Sequence, residues 1–223
     1  MKEIILAFLE KPITLDADKL ATIICLNKDR YIEIVKGFST EFFRSKNVLE
    51  VYKDGIKSQS NDYIYIPNVL ALDINNKKNI NALYKLLRMK YAVTFNTELN
   101  KIKEIIEHIT TEIGIDFDIK VCANKTIDME DIFKISSLLF EENYENVIEI
   151  LVEFISISTE LLRSKIIVIQ NLHSVLSEDQ IDLLVKEFAY KEVKIINVEF
   201  AKYFNQSSLE SAILIDEDCV ELR

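Results

Sequence analysis

Glycine and proline are nearly missing from this chain: 3 and 2 residues among 223, with no tryptophan. Their scarcity excludes a flexible Gly/Ser linker, a Pro-rich spacer and a Gly-rich phosphate loop. Cysteine is also sparse. Cys25, Cys122 and Cys219 lie far apart, form no CxxC pair and are odd in number. That argues against a disulfide framework or a zinc site and reads as structural thiols. His108 and His173 are the only histidines, too few for a multi-His metal centre. No apolar run approaches the roughly 18–20 residues that span a bilayer. The opening "MKEIILAFLEKPITL" is interrupted by Glu3 and Glu10 and lacks a small-residue cleavage site, which argues against a signal peptide. The expectation is a soluble, cytoplasmic protein with no membrane partner. No repeat of fixed period is present.

What is abundant is apolar residue: 49% of the chain, enough to bury a substantial core as one large domain or as one domain carrying an insertion. "EIILAFL" (3–9) and "ATIICL" (21–26) read as strands. "NKDRYIEIVKGFSTEFFRS" (27–45) has helical spacing with Asn27 as N-cap. "NVLEVYKDGIKS" (47–58) suggests a strand and a turn at "DG", and "DYIYIPNVLALDIN" (62–75) an extended stretch interrupted by Pro67. From there the period is helical: 77–92, 97–114, 128–142 and 144–164. Alternation then returns. "KIIVIQN" (165–171) reads as a strand buried on both faces, and Ser177 with Gln180 has capping-box spacing that starts a helix over 177–191. Strands follow at 193–200 and 211–218. The expected architecture is an α/β head built from residues 1–75 and 161–223, with an inserted all-helical leg over 76–160. The strand–helix–strand order after residue 165 favours parallel pairing.

Nucleotide hydrolysis is the first chemistry to test against an α/β head. A P-loop needs glycines between a strand and a helix, so that backbone N–H groups can close around phosphates. The turn after "ATIICL" is "NKDRY", which has none, and Lys28 there reads as a solvated charge. The strand that would end in a Mg²⁺-holding carboxylate ends in Gln170 and Asn171. Both requirements fail. No GxSxG occurs, and neither histidine sits in a nucleophile motif. His108 reads as a surface or packing residue of a helix; His173 follows a strand end, where an α/β site can lie.

Charge is more informative. Net charge is −10, which disfavours whole-surface affinity for nucleic acid. Yet Lys77, Lys78, Lys85, Arg88, Lys90, Lys101 and Lys103 face a single acid, Glu98, between residues 77 and 103, and Lys53 and Lys57 lie on the preceding turn. Such a stretch fits either a phosphate-binding surface or a solvated helix face. Carboxylates gather later, at Glu112, Asp116 and Asp118 and at Asp128, Glu130 and Asp131. They can be calcium ligands or ordinary acids near helix N-termini.

Three stretches resemble one known family. "FLEKPITL" (8–15), "IYIPNVLALDINNKKNINALYKLL" (64–87) with its Asp–hydrophobic–Asn turn, and "SKIIVIQNLHSVLSEDQIDLLVKEFAYKEVKIINVEF" (164–200) are similar to the CRISPR-associated spacer-acquisition accessory protein of type II-A systems. The resemblance implies a degenerate P-loop-NTPase-like (RecA-like) head without working nucleotide machinery, so no bound nucleotide and no enzymatic activity. It implies a homotetrameric ring with a basic channel that encircles linear double-stranded DNA from its ends, calcium held by leg carboxylates, and action beside the CRISPR integrase and the RNA-guided effector nuclease in antiviral defence. On it, Lys53, Lys57, Lys77, Lys78, Lys85 and Arg88 are the DNA-binding candidates. Glu112, Asp116, Asp118 and Asp128 are the calcium candidates, in a stretch that Lys120 and Lys125 interrupt. Two alternatives stand beside it: a nucleotide-binding P-loop-like ATPase, and a helical protein-assembly module using residues 144–164.

Overall fold

The computed structural model describes residues 2–6, 13–39, 49–53, 56–57, 63–117, 119–122, 127–200 and 206–222. The chain divides into two compact units, residues 1–74 with 143–223, and residues 75–142.

The first unit is α/β. Its larger sheet has six strands in the order β10 (Glu221–Leu222), β9 (Glu210–Ile215), β3 (Leu20–Cys25), β8 (Lys194–Phe200), β7 (Ile166–Gln170), β6 (Tyr63–Ile66). Every pairing from β9 to β6 is parallel, as the strand–helix–strand order predicts; only β10 runs antiparallel. The four aliphatics of β7 explain the layering. Ile167 and Ile169 enter a core against α5 (Val147–Leu162) and α6 (Glu178–Ala189), and Ile166 and Val168 enter a second core against α1 (Lys28–Ser39). All four are 1% exposed or less. A strand covered on both faces loses the polar alternation of a half-exposed one, so the sequence reads as a continuous apolar run. A smaller antiparallel sheet, β2 (Ile13–Leu15), β1 (Lys2–Leu6), β4 (Leu49–Lys53), β5 (Ile56–Lys57), completes the unit. The "DG" turn expected between β4 and β5, at residues 54–55, lies outside the described residues.

The second unit holds α2 (Lys77–Tyr91), α3 (Asn96–Asp116) and α4 (Met129–Ile135), and among its described residues there is no strand. A side-chain clamp joins its two ends: Asn75 Oδ1 accepts from Phe140 N at 2.8 Å, and Asn75 Nδ2 donates to Phe140 O at 3.1 Å. Asn75 is the last residue of the Asp–hydrophobic–Asn turn noted in the sequence.

Two expectations need correction. The helical excursion ends at residue 142, not 160, because α5 belongs to the first unit: Leu151 and Ile155 are fully buried among Leu184, Val185 and Phe188. The helix expected over 128–142 stops at Ile135. Ser137 takes the left-handed φ of 50° and Leu138 N donates back to Phe133 O at 3.1 Å, which closes the helix, and the Asn75 clamp holds the chain beyond. The helix expected to run to residue 45 is described as far as Ser39.

All three cysteines are thiols, Cys25 buried, Cys122 exposed and Cys219 in between. Burial pushes the Cys25 thiol up to about 11. An aromatic disulfide reagent at mild alkaline pH is therefore expected to modify Cys122 quickly and Cys25 only with global unfolding. One fast phase for all three would contradict this packing.

Candidate nucleic-acid interface

A ligand of a parallel α/β sheet sits outside the carboxyl ends of its strands. Among the described residues at that end, the turns after β3 and β7 are occupied by the protein's own side chains. After β3, Asn27 Oδ1 accepts from the backbone N–H groups of Asp29 and Arg30, each at 3.0 Å, so the first amides of α1 are already satisfied. Asn27 Nδ2 donates to Glu217 O at 2.8 Å, which ties an acidic run, Asp216–Asp218, to the turn where phosphates would have to approach.

After β7, Gln170 bridges two tyrosines. Its Nε2 donates to the Tyr31 hydroxyl at 2.5 Å and its Oε1 accepts from the Tyr65 hydroxyl at 2.8 Å. Asn171, at φ 52°, accepts at Oδ1 from Tyr31 (3.2 Å) and from Phe200 N (3.3 Å). Burial pushes the Tyr65 hydroxyl up to about 12, with Tyr31 adding to the shift, and raises Tyr31 for the same leading reason. Both rings are therefore neutral, hydrogen-bonded filler at physiological pH. Sequence reading found the uncharged Gln170–Asn171 pair but not the tyrosines that use it; Tyr31 lies 139 residues away from Gln170.

His173 also has a structural setting. Its Nε2 lies 2.8 Å from Glu210 Oε1, with the two side chains 5% and 0% exposed. Glu210 accepts as well from the Thr22 hydroxyl and from Ser207 N (3.1 Å). The turn carrying His173 is fastened to β8: Leu172 N donates to Asn197 Oδ1 (3.1 Å) and His173 N to Glu199 Oε1 (2.8 Å).

The basic candidates divide between the units. Lys53 and Lys57 belong to the β4–β5 pair of the first unit, with Lys53 opposite Ile56 and Lys57 opposite Tyr52. Lys77, Lys78, Lys85 and Arg88 lie on α2 in the second unit, and all four are exposed. At 3.6 residues per turn they fall within an arc of about 100°, one side of the helix. Lys77 and Lys78 occupy its first turn, which contains no acid. Cations there oppose the positive end of the helix dipole, so helix stability does not explain them. Arg88 is partly neutralised within its own unit, 3.6 Å from Glu130 and 3.9 Å from Asp128 across to α4.

The calcium candidates do not converge among the described residues. Glu112 and Asp116 are one turn apart near the end of α3, with Glu112 4.0 Å from His108. Asp118 lies outside the described residues. Asp128 is the N-cap of α4 in a capping box with Asp131: its Oδ1 accepts from Asp131 N at 3.0 Å, while its Oδ2 faces Arg88. Among the described residues no group of three potential ligands is placed to hold a metal ion. Glu112, Asp116 and Asp128, as described, do not by themselves form a calcium site. No helix among the described residues is long and apolar enough to cross a membrane.

The family model described as "CRISPR-associated protein (Cas_Csn2)" matches residues 43–219, well over half of the chain. The chain belongs to this family. A CRISPR-associated role follows for this Cas_Csn2 protein. No curated protein matches the chain. Among solved structures, a putative ABC transporter (ATP-binding protein) from Pyrococcus furiosus is similar at 10% identity and a TM-score of 0.40, over 95% of this chain and 96% of that one. The Cas_Csn2 match covers the β4–β5 pair, all of the second unit, and β7 through β9. It therefore includes every basic and acidic candidate named above.

Proposed function

We propose that this Cas_Csn2 protein is a non-enzymatic DNA-binding component of spacer acquisition. It binds the ends of linear double-stranded DNA without reading sequence and surrounds the duplex as a homotetrameric ring. It works beside the integrase and the RNA-guided effector nuclease. Family membership supports the CRISPR role, and ring and partners rest on the resemblance. The observation that carries DNA binding is α2: four exposed bases on one side, two of them in a first turn with no acid. Phosphate oxygens are what such an end attracts, through both lysine charge and helix dipole.

In this reading the parallel sheet is a degenerate RecA-like scaffold. The competing ATPase needs unsatisfied amides after β3 and a carboxylate after β7. Asn27 takes the first, and Gln170 stands in place of the second.

Mass measurement in solution and gel shifts on linear and covalently closed duplex of equal length, each with calcium and with a chelator, test the proposal. A tetramer that shifts linear DNA, spares the closed circle and releases DNA as salt rises is the expected result. Equal binding to both forms would remove encirclement, and no binding to linear duplex at low salt would remove DNA binding altogether. A chelator effect would locate calcium in residues beyond the described carboxylates. ATP turnover above that of a buffer blank would reinstate the enzyme.

A further inference from the structure

On the first unit, α5 and α6 leave a groove of about 390 Å³ between them, lined by Asn143, Tyr144, Ile148, Glu149, Val152, Glu153, Leu183 and Glu187. We infer that this groove is a docking site for a basic amphipathic helix of a partner protein. The argument begins with Leu183. The other apolar residues of α6, namely Ile181, Leu184, Val185 and Phe188, are buried against the sheet, whereas Leu183 is 57% exposed and turns toward the groove. Ile148 and Val152, one turn apart on α5, supply the facing apolar strip. An aliphatic pair on α5 facing one exposed leucine on α6 forms the kind of trough into which a helix lays side chains at i, i+3 or i+4, and i+7.

Charge selects the occupant. The groove has three glutamates and no base in its lining. Glu149 is partly committed to its own helix start, accepting from Asn146 Nδ2 at 2.6 Å and from Glu145 N at 2.9 Å. Glu187 lies 3.8 Å from Lys191, and Glu153 is exposed on α5. The one lysine on α6 itself, Lys186, is 3.9 Å from Asp182 and outside the lining. An acidic rim around an apolar floor repels phosphate, so DNA is not the occupant, and it attracts a helix whose leucine-type anchors are flanked by lysine or arginine. The inference is independent of the DNA reading, because the basic face of α2 contributes nothing to this groove.

The test titrates the full-length protein into a fluorescent 18-residue synthetic helix of leucine and lysine, with leucines at i, i+3, i+4 and i+7, and reads anisotropy. A probe with glutamate for lysine, and one of the same composition in alternating order, serve as controls. The wild type is expected to bind the first probe alone. Leu183→Asp and the pair Glu153→Lys with Glu187→Lys are each expected to weaken it about tenfold or more, the scale of losing an interface anchor. The pair Glu104→Lys with Glu107→Lys, which makes the same net-charge change on α3, should leave binding within about twofold. Circular dichroism and urea unfolding establish that each variant is folded. Equal weakening by both charge pairs with no effect of Leu183→Asp would mean generic attraction and overturn the site. So would absence of binding, or equal binding of the glutamate probe. If Leu183→Asp instead lowers the mass of the protein in solution, the groove is a contact between copies and the partner helix is wrong.

Discussion

Replacing His173 with alanine is expected to destabilise the first unit by about 2–3 kcal/mol, the upper range for leaving a buried hydrogen-bonding group short of a partner. The reason is what remains. Glu210 is completely covered, and its carboxylate is held by the Thr22 hydroxyl, Ser207 N and the imidazole. Without the ring, the buried Glu210 side chain loses one of its three hydrogen-bond partners, with no solvent contact to replace it. The ring also leaves a void beneath the turn that Asn197 and Glu199 fasten to β8. His173→Gln keeps an N–H donor of similar reach and should lose less, about 1–2 kcal/mol, the scale of one hydrogen bond. Urea unfolding of the full chain, followed by far-ultraviolet dichroism, measures both. A loss below about 1 kcal/mol for His173→Ala would mean the pair is solvated or rearranged in solution and would sink this account. The prediction also separates scaffold from catalyst: a structural His173 affects stability and leaves DNA affinity of the folded protein unchanged.

The sequence revealed local features and concealed long-range ones, for a physical reason. Strand β7 was readable because burial on both faces writes itself as four consecutive aliphatics. The start of α6 was readable because its capping box spans only three residues, Ser177 to Gln180. Asn27 was identified as a cap by the same local logic, and its side chain bonds two amides of α1. In contrast, nothing in "KIIVIQN" indicates that Tyr31 and Tyr65 will close on Gln170, because those contacts bridge 139 and 105 residues. The extent of the helical excursion was misjudged for a related reason. The apolar run 144–164 has helical spacing whichever unit it packs on, and only the facing residues Leu184, Val185 and Phe188 decide that it covers the sheet. Asp128 shows the same limit at the site. Its acidity fits a calcium ligand or an ordinary acid near a helix N-terminus, and its position, three residues before Asp131, makes it the cap of α4.

Exchanging Lys77, Lys78 and Lys85 together for glutamine is expected to weaken linear-duplex binding by at least about 500-fold at 0.1 M monovalent salt, the loss from the three lysines of a single subunit. The figure follows from counterion release. Each phosphate contact contributes about 0.9 to the slope of log K against log salt, so three lost contacts remove about 2.7 for each subunit whose lysines touch the duplex, and at one decade below molar salt that slope is the loss in affinity. The salt titration is therefore the sharper readout, since a fall in slope of about 2.7 or more identifies the lysines as phosphate partners. Folding should be nearly unaffected. All three side chains are exposed, and Lys77 and Lys78 sit in a first turn where positive charge opposes the dipole, so removing it leaves α2 as stable or slightly more so. Arg88→Gln is the internal comparison. Glu130 at 3.6 Å and Asp128 at 3.9 Å already compete for its guanidinium. Its loss should cost less affinity than any one lysine and more stability, through the lost link between α2 and α4. An unchanged slope in the triple variant would move DNA binding away from these three lysines, with Arg88 and with Lys53 and Lys57 of the β4–β5 pair as the remaining candidates. A large drop confined to Arg88→Gln would mean that DNA displaces the carboxylates of α4.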